Sequence, residues 1–129
     1  MIEITEKEKD LYDAFKRMRT LNPELKEMPL AKTFKILETE PAPRYYITFE
    51  TARIYLQYRK RGLYPPMLKT KKSRAMINAL YGSYKYLKKK YKGKKDWEII
   101  ELTISSPAPS FFIGSQTMSH IVTKLNAIL

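Results

Sequence analysis

A phrase of twelve residues occurs twice in this chain, 66 positions apart, and no other feature restricts the fold as much. Pro41-Ala42-Pro43-Arg44-Tyr45-Tyr46-Ile47-Thr48-Phe49-Glu50-Thr51-Ala52 returns as Pro107-Ala108-Pro109-Ser110-Phe111-Phe112-Ile113-Gly114-Ser115-Gln116-Thr117-Met118. Five of the twelve positions are identical, and the aromatic pair and Glu50/Gln116 are similar. Prolines hold a chain extended, and an aromatic pair directly after them can anchor the turn in a core.

Each copy runs into a segment with helical spacing. Thr48 can cap the first, which continues through Ala52, Tyr55, Leu56 and Arg59 to Gly62 as a C-cap. Gly114 or Ser115 can start the second, which continues through Met118, Ile121, Val122 and Leu125. Ahead of the second copy, Ile100, Leu102 and Ile104 alternate with Glu101 and Thr103, the pattern of a strand. The 66-residue register lays Phe34 on Ile100 and Ile36 on Leu102. That favours a strand in the first copy too, although Leu30, Phe34 and Leu37 also have helical spacing. The expected architecture is a mostly helical α+β single domain over 1–129. Its two pseudo-repeated helix–strand–Pro-Ala-Pro–helix units cover 5–62 and 70–129, joined by a stiff connector at 62–68. The competing reading is chance recurrence of Pro-Ala-Pro and two aromatics in a tyrosine-rich chain.

Two further helices complete the expectation. Thr5 with Glu8 three residues on is a capping-box pattern opening a helix to about Thr20, with Leu11, Phe15 and Met18 on one face. Asn22-Pro23 ends it. The longest helical pattern runs roughly from Thr70 to Tyr91, with Met76, Leu80, Tyr84, Leu87 and Tyr91 as its apolar stripe.

Charge is placed as unevenly as the repeats are placed regularly. Residues 51–95 hold 15 Lys and Arg and no Asp or Glu, whereas 1–50 hold 9 cations against 10 acids, and 96–129 hold 1 against 3. The whole excess of +12 therefore lies in one segment. Like charges with no interspersed carboxylate repel one another and cost stability, so the simplest reason to keep them is a polyanionic partner. A solvated lysine face is the plainer alternative. Lys71, Lys72 and Arg74 lie near the start of the long helix, where cations oppose the helix dipole and need an outside explanation. Lys85, Lys88, Lys89, Lys90 and Lys92 lie near its end, where the dipole accounts for part of the cluster. Tyr55, Tyr58, Tyr64, Tyr81, Tyr84, Tyr86 and Tyr91 stand among these cations. Exposed, they suit base stacking or a protein interface. Tyr84 and Tyr91 fall on the apolar stripe and read as core.

The residues for catalysis are sparse. Cysteine is absent, so thiol nucleophiles, disulfides and thiolate metal sites are excluded. With one histidine, His120, no zinc pattern can be built. Neither Ser115 nor Ser119 near His120 sits in a nucleophile elbow. Glu38, Glu40 and Glu50 flank the first Pro-Ala-Pro and could serve a metal-dependent nuclease only if they converge. Gly62, Gly82, Gly93 and Gly114 are isolated, so no phosphate-cradling loop exists. The opening Met1-Ile2-Glu3-Ile4-Thr5-Glu6-Lys7-Glu8 has no apolar signal core, and no stretch is long enough to span a membrane.

The segment Pro41–Ala52, running into Arg53 and Ile54, resembles a phrase in small basic proteins of Bacteroides-type bacteria and their tailed phages, including crAss-like phages. The resemblance covers about 14 residues. It brings no catalytic residues, and it implies a phage or mobile-element setting and a virion or DNA-handling protein in a bacterial cytoplasm or a virion. The expected function is non-enzymatic contact with nucleic acid, DNA ahead of RNA, through phosphates, with no cofactor or metal. Arg53, Arg59, Lys60, Arg61, Lys71, Lys72, Arg74, Lys85, Lys88, Lys89 and Lys92 would carry it. The alternative is a virion or assembly protein that docks this face on acidic subunits. No membrane partner is expected, and self-association into a homo-oligomer is allowed.

Overall fold

A computed structural model describes residues 3–129; Met1 and Ile2 of the opening segment lie outside the described residues. Among the described residues six α-helices form: α1 (Glu6–Leu21), α2 (Leu30–Leu37), α3 (Phe49–Lys60), α4 (Lys71–Lys90), α5 (Asp96–Ile104) and α6 (Ser115–Ile128), with a turn of 3-10 helix over Pro23–Glu27 between the first two. None of them is long and apolar enough to cross a membrane.

The expected α+β fold is wrong, because the described residues are helical with no strand or sheet. Both segments read as strands are short helices, α2 and α5. In α5 the side chains of Ile99, Ile100 and Thr103 are buried, a spacing of one and three that only a helix places on one face. Glu98 accepts a hydrogen bond from the Lys95 N–H at 3.1 Å, and Asp96 adds negative charge in the first turn. Tertiary burial thus overrides the β-preference of Ile and Thr. What remains of β-structure among the described residues is one isolated antiparallel bridge, Ala42 to Ala108, with the two N–H···O bonds both at 2.9 Å.

That bridge joins identical positions of the two copies. The same register runs through the helices: α2 begins at Leu30 and α5 at Asp96, α3 at Phe49 and α6 at Ser115. Buried positions follow it as well, as Leu11 with Ile77, Phe34 with Ile100, Ala52 with Met118 and Leu56 with Val122. At the crossing, Tyr45 stacks on Phe112 with centroids 6.5 Å apart, and Tyr46 stacks on Phe111 at 6.0 Å. The first aromatic of each copy therefore meets the second of the other, the reciprocal contact that a two-fold axis produces.

The halves exchange their last helices across this crossing. α1 and α2 pack with α6, while α4 and α5 pack with α3. At the α1–α6 contact the Tyr12 hydroxyl donates to Asn126 at 2.6 Å, and Lys124 reaches Glu8 at 2.9 Å. Glu8 also accepts from the Thr5 N–H while Thr5 caps α1, so the capping box forms as the sequence pattern suggests. These donors hold the Glu8 carboxyl below the usual glutamate range, the Thr5 backbone bond being the largest cause.

The register also predicts a stabilising substitution. Thr33 on α2 is fully buried, and its hydroxyl has no hydrogen-bond partner among the described residues. Its counterpart on α5 is Ile99. Thr33→Val should raise unfolding stability by about 1 kcal/mol, because a buried polar group is then no longer left unsatisfied. A higher urea midpoint at unchanged slope checks this. A lower midpoint would show that the hydroxyl is bonded in solution.

Candidate nucleic-acid interface

The basic segment spans α3, the connector and α4, and its local structure follows from caps. Thr48 accepts from the Thr51 N–H at 3.2 Å and opens α3. At the other end Gly62 takes a left-handed φ of 74°, letting the Leu63 N–H return to the Tyr58 carbonyl at 3.0 Å. This six-to-one bond closes the helix and needs a residue without Cβ strain at Gly62. Thr70 caps α4 through the Ser73 N–H at 3.1 Å.

The connector is fastened to α4 by Tyr64. The Asn78 side-chain amide donates to the Tyr64 hydroxyl at 2.9 Å. Both the Arg59 and Arg74 guanidiniums lie over the Tyr64 ring, at 4.2 and 4.7 Å from its centroid. Arg59 also donates to the Leu63 carbonyl at 3.1 Å, and Arg74 to that of Leu68 at 3.3 Å. Two guanidiniums are thus held at one ring with no carboxylate paired to either among the described residues.

On α4, Lys71, Arg74, Asn78, Lys85 and Lys89 are all exposed and share one face by helical spacing. At 1.5 Å per residue, Lys71 to Lys89 span about 27 Å. Midway, Gly82 opens to free space. The stripe is therefore cationic at both ends and low-profile at its centre.

Four of the eleven cations expected at the site have local carboxylate partners. Arg53 pairs with Glu50, Lys72 lies 3.8 Å from Glu38, and Lys60 and Lys88 each lie 3.9 Å from Asp96. Asp96 further accepts from the Tyr84 hydroxyl. Burial, then this contact, pushes the Tyr84 phenol up. Asp96, the residue directly after the acid-free segment, thus folds back onto it, which a count confined to 51–95 misses. Arg59, Arg61, Lys71, Arg74, Lys85, Lys89 and Lys92 have no carboxylate partner among the described residues.

The tyrosines divide differently from expectation. Tyr84 is buried in the core, but Tyr91 is exposed just beyond α4, and Ile77 takes a buried place on the helix instead. Tyr55, Tyr58, Tyr64 and Tyr81 are half-buried. Only Tyr86 and Tyr91 of the seven are exposed, with Lys90 at 5.9 and 5.5 Å from their rings.

Residues considered for catalysis are not brought together. Glu38 accepts from the Ser115 hydroxyl at 3.0 Å, Glu50 pairs with Arg53, and Glu40 and His120 are exposed. Among the described residues no three His, Asp or Glu side chains are grouped to hold a metal ion. No protein-family model matches the chain, and no curated protein or solved structure matches it.

Proposed function

We propose that the protein is a non-enzymatic nucleic-acid-binding protein that lays the exposed face of α4 along the phosphates of duplex DNA. One observation carries the proposal: seven of the eleven expected cations, on α3 and α4 and just beyond their ends, have no carboxylate partner among the described residues, and two of them share one tyrosine ring. Bringing such a face to a polyanion relieves its self-repulsion and releases condensed counterions. The resemblance of the Pro-Ala-Pro segment fits a phage or mobile-element setting, in a bacterial cytoplasm or a virion.

A fluorescence-anisotropy titration over a salt series tests this with double-stranded DNA, single-stranded DNA and single-stranded RNA. Four to six contacted phosphates should give a log–log slope of about −4 to −5 on duplex. Tighter binding of single strands would instead assign Tyr86 and Tyr91 to base stacking. A flat salt dependence, or no binding at moderate salt, would overturn the proposal.

A second function is favoured by a separate surface. Leu21, Met28, Leu30 and Ile36 are exposed apolar residues from the end of α1 through α2. A virion or assembly protein that docks its basic face on acidic subunits would use such residues for additional contact.

A further inference from the structure

A second cation-lined site lies where the two Pro-Ala-Pro segments cross. A cleft of about 210 Å³ opens there, and its polar lining includes Lys7, Arg44, Lys72, Ser73 and Ser110 with no carboxylate. Rings of the crossing aromatics and Met76 form the apolar part. Lys7 and Ser73 are 66 positions apart, as are Arg44 and Ser110, so both halves contribute matching positions. At each pair one half supplies a cation and the other a hydroxyl.

Three features set this cleft apart from an ordinary basic surface. Lys7 is half-buried, with Tyr46 5.8 Å from its ammonium and no carboxylate partner among the described residues. Its burial pushes the ammonium down from the ordinary lysine value, the mark of a charge without a counter-ion. Arg44 and Lys72 are only partly neutralised, by Glu6 at 3.4 Å and Glu38 at 3.8 Å. Phe112, on the wall, has a φ of 57° and is the one non-glycine residue with positive φ among the described residues. The Ser110 hydroxyl accepts the Phe112 N–H at 2.8 Å and holds that turn. Backbone strain of this kind in a large side chain persists where a site is being shaped.

We propose that this cleft binds a phosphomonoester dianion, with Arg44, Lys7 and Lys72 balancing its charge and Ser73 and Ser110 donating to its oxygens. A guanidinium fork, two ammoniums and two hydroxyls offer more donors than the two oxygens of a carboxylate or a phosphodiester accept. Space for about seven waters, at roughly 30 Å³ each, accommodates a phosphate and the first atoms of what it is attached to. The apolar wall lies against that attachment. A free mononucleotide and the 5′-phosphorylated end of a strand share this chemistry. The cleft shares Lys72 and Ser73 with α4, but Lys7 and Arg44 lie outside the duplex-binding face, so the two readings can fail separately.

Calorimetric titration of the full chain with phenyl phosphate, and with benzoate as the carboxylate control, is the test. Phenyl phosphate should bind at least roughly tenfold more tightly, and Lys7→Met and Arg44→Gln should each weaken it by roughly tenfold to a hundredfold. Circular dichroism and duplex affinity of both variants serve as fold controls. Ser110→Ala provides a third variant if Lys7→Met misfolds, and it too should weaken binding. Equal affinity for benzoate, unchanged binding in the variants, or no heat at millimolar phenyl phosphate overturns the proposal. A preference for 5′-phosphorylated over 5′-hydroxyl oligonucleotide identifies a strand end. Tight thymidine monophosphate binding without that preference identifies the free nucleotide. Loss of duplex binding alone, with phenyl phosphate still bound, would count against the α4 surface only.

Discussion

Phe111→Ala should lower unfolding stability by about 3–5 kcal/mol, the cost of emptying a buried phenylalanine site. Phe111 is 2 % exposed and stacks on Tyr46 with the ring planes 10° apart. Domains of this size hold about 5–15 kcal/mol in total, so the variant should lose a large share of its stability. The loss is also expected to be global. The aromatic crossing lies between the α1–α2–α6 group and the α3–α4–α5 group, and each group borrows a helix that the crossing positions. Urea unfolding followed by far-ultraviolet circular dichroism reports all helices. The fluorescence of Trp97, the single tryptophan, on α5, reports the second group. Both transitions should move to lower urea together. A Trp97 transition that stays at the wild-type midpoint would show that the groups unfold independently.

The second large effect concerns binding. Lys71→Glu, Lys85→Glu and Lys89→Glu combined should weaken duplex DNA affinity by about two to three orders of magnitude at low salt. The log–log slope should flatten by about 2.7, at roughly 0.9 for each lost phosphate contact. These three are exposed and have no carboxylate partner among the described residues, so removing them breaks no ion pair of the fold. Lys71→Glu even places a negative charge at the start of α4, where the helix dipole favours it by about 0.3–1 kcal/mol. Lys89→Glu, in the last turn, acts against the dipole at the other end by a similar amount, while Lys85 lies short of that turn. The triple variant should therefore melt within a few degrees of the parent while failing to bind. Binding that survives in all three nucleic acids would remove α4 from the interface and leave an acidic protein as the partner for its charge.

How much of this was legible in advance depended on local chemistry. Helices with a side-chain cap were readable: Thr5 with Glu8, Thr48 with Gly62 as its stop, and Thr70 mark α1, α3 and α4 to within a residue or two. α2 and α5 were not, because they begin after Pro29 and Lys95 without a side-chain cap and, unlike the equally uncapped 14-residue α6, run for only eight and nine residues. Helices so short are held by what they bury, here Thr33, Phe34 and Leu37, and Ile99, Ile100 and Thr103. The 66-residue register was visible, but the exchange of α3 and α6 was not, since apolar periodicity shows which face is buried and never against which helix. At the candidate site the cations could be named from composition alone. Their division into paired and unpaired required Asp96 and Glu38, which lie outside the basic segment and reach it only through the fold. Lys7 and Arg44 escaped notice because they belong to a half whose charges nearly cancel.

The exchanged helices give the two groups different histories during synthesis. α3, α4 and α5 follow one another along the chain and can pack as soon as residue 104 has left the ribosome. α1 and α2 are made before these, yet their partner α6 follows α5, so they wait until residue 128 has emerged. Until then the faces of α1 and α2 that pack on α6 lack that cover. Contacts of such long sequence separation form slowly, and uncovered apolar surface in the interval invites aggregation. α1 and α2, made before α3, α4 and α5, thus become native after them, and a holdase would find its substrate in those two helices.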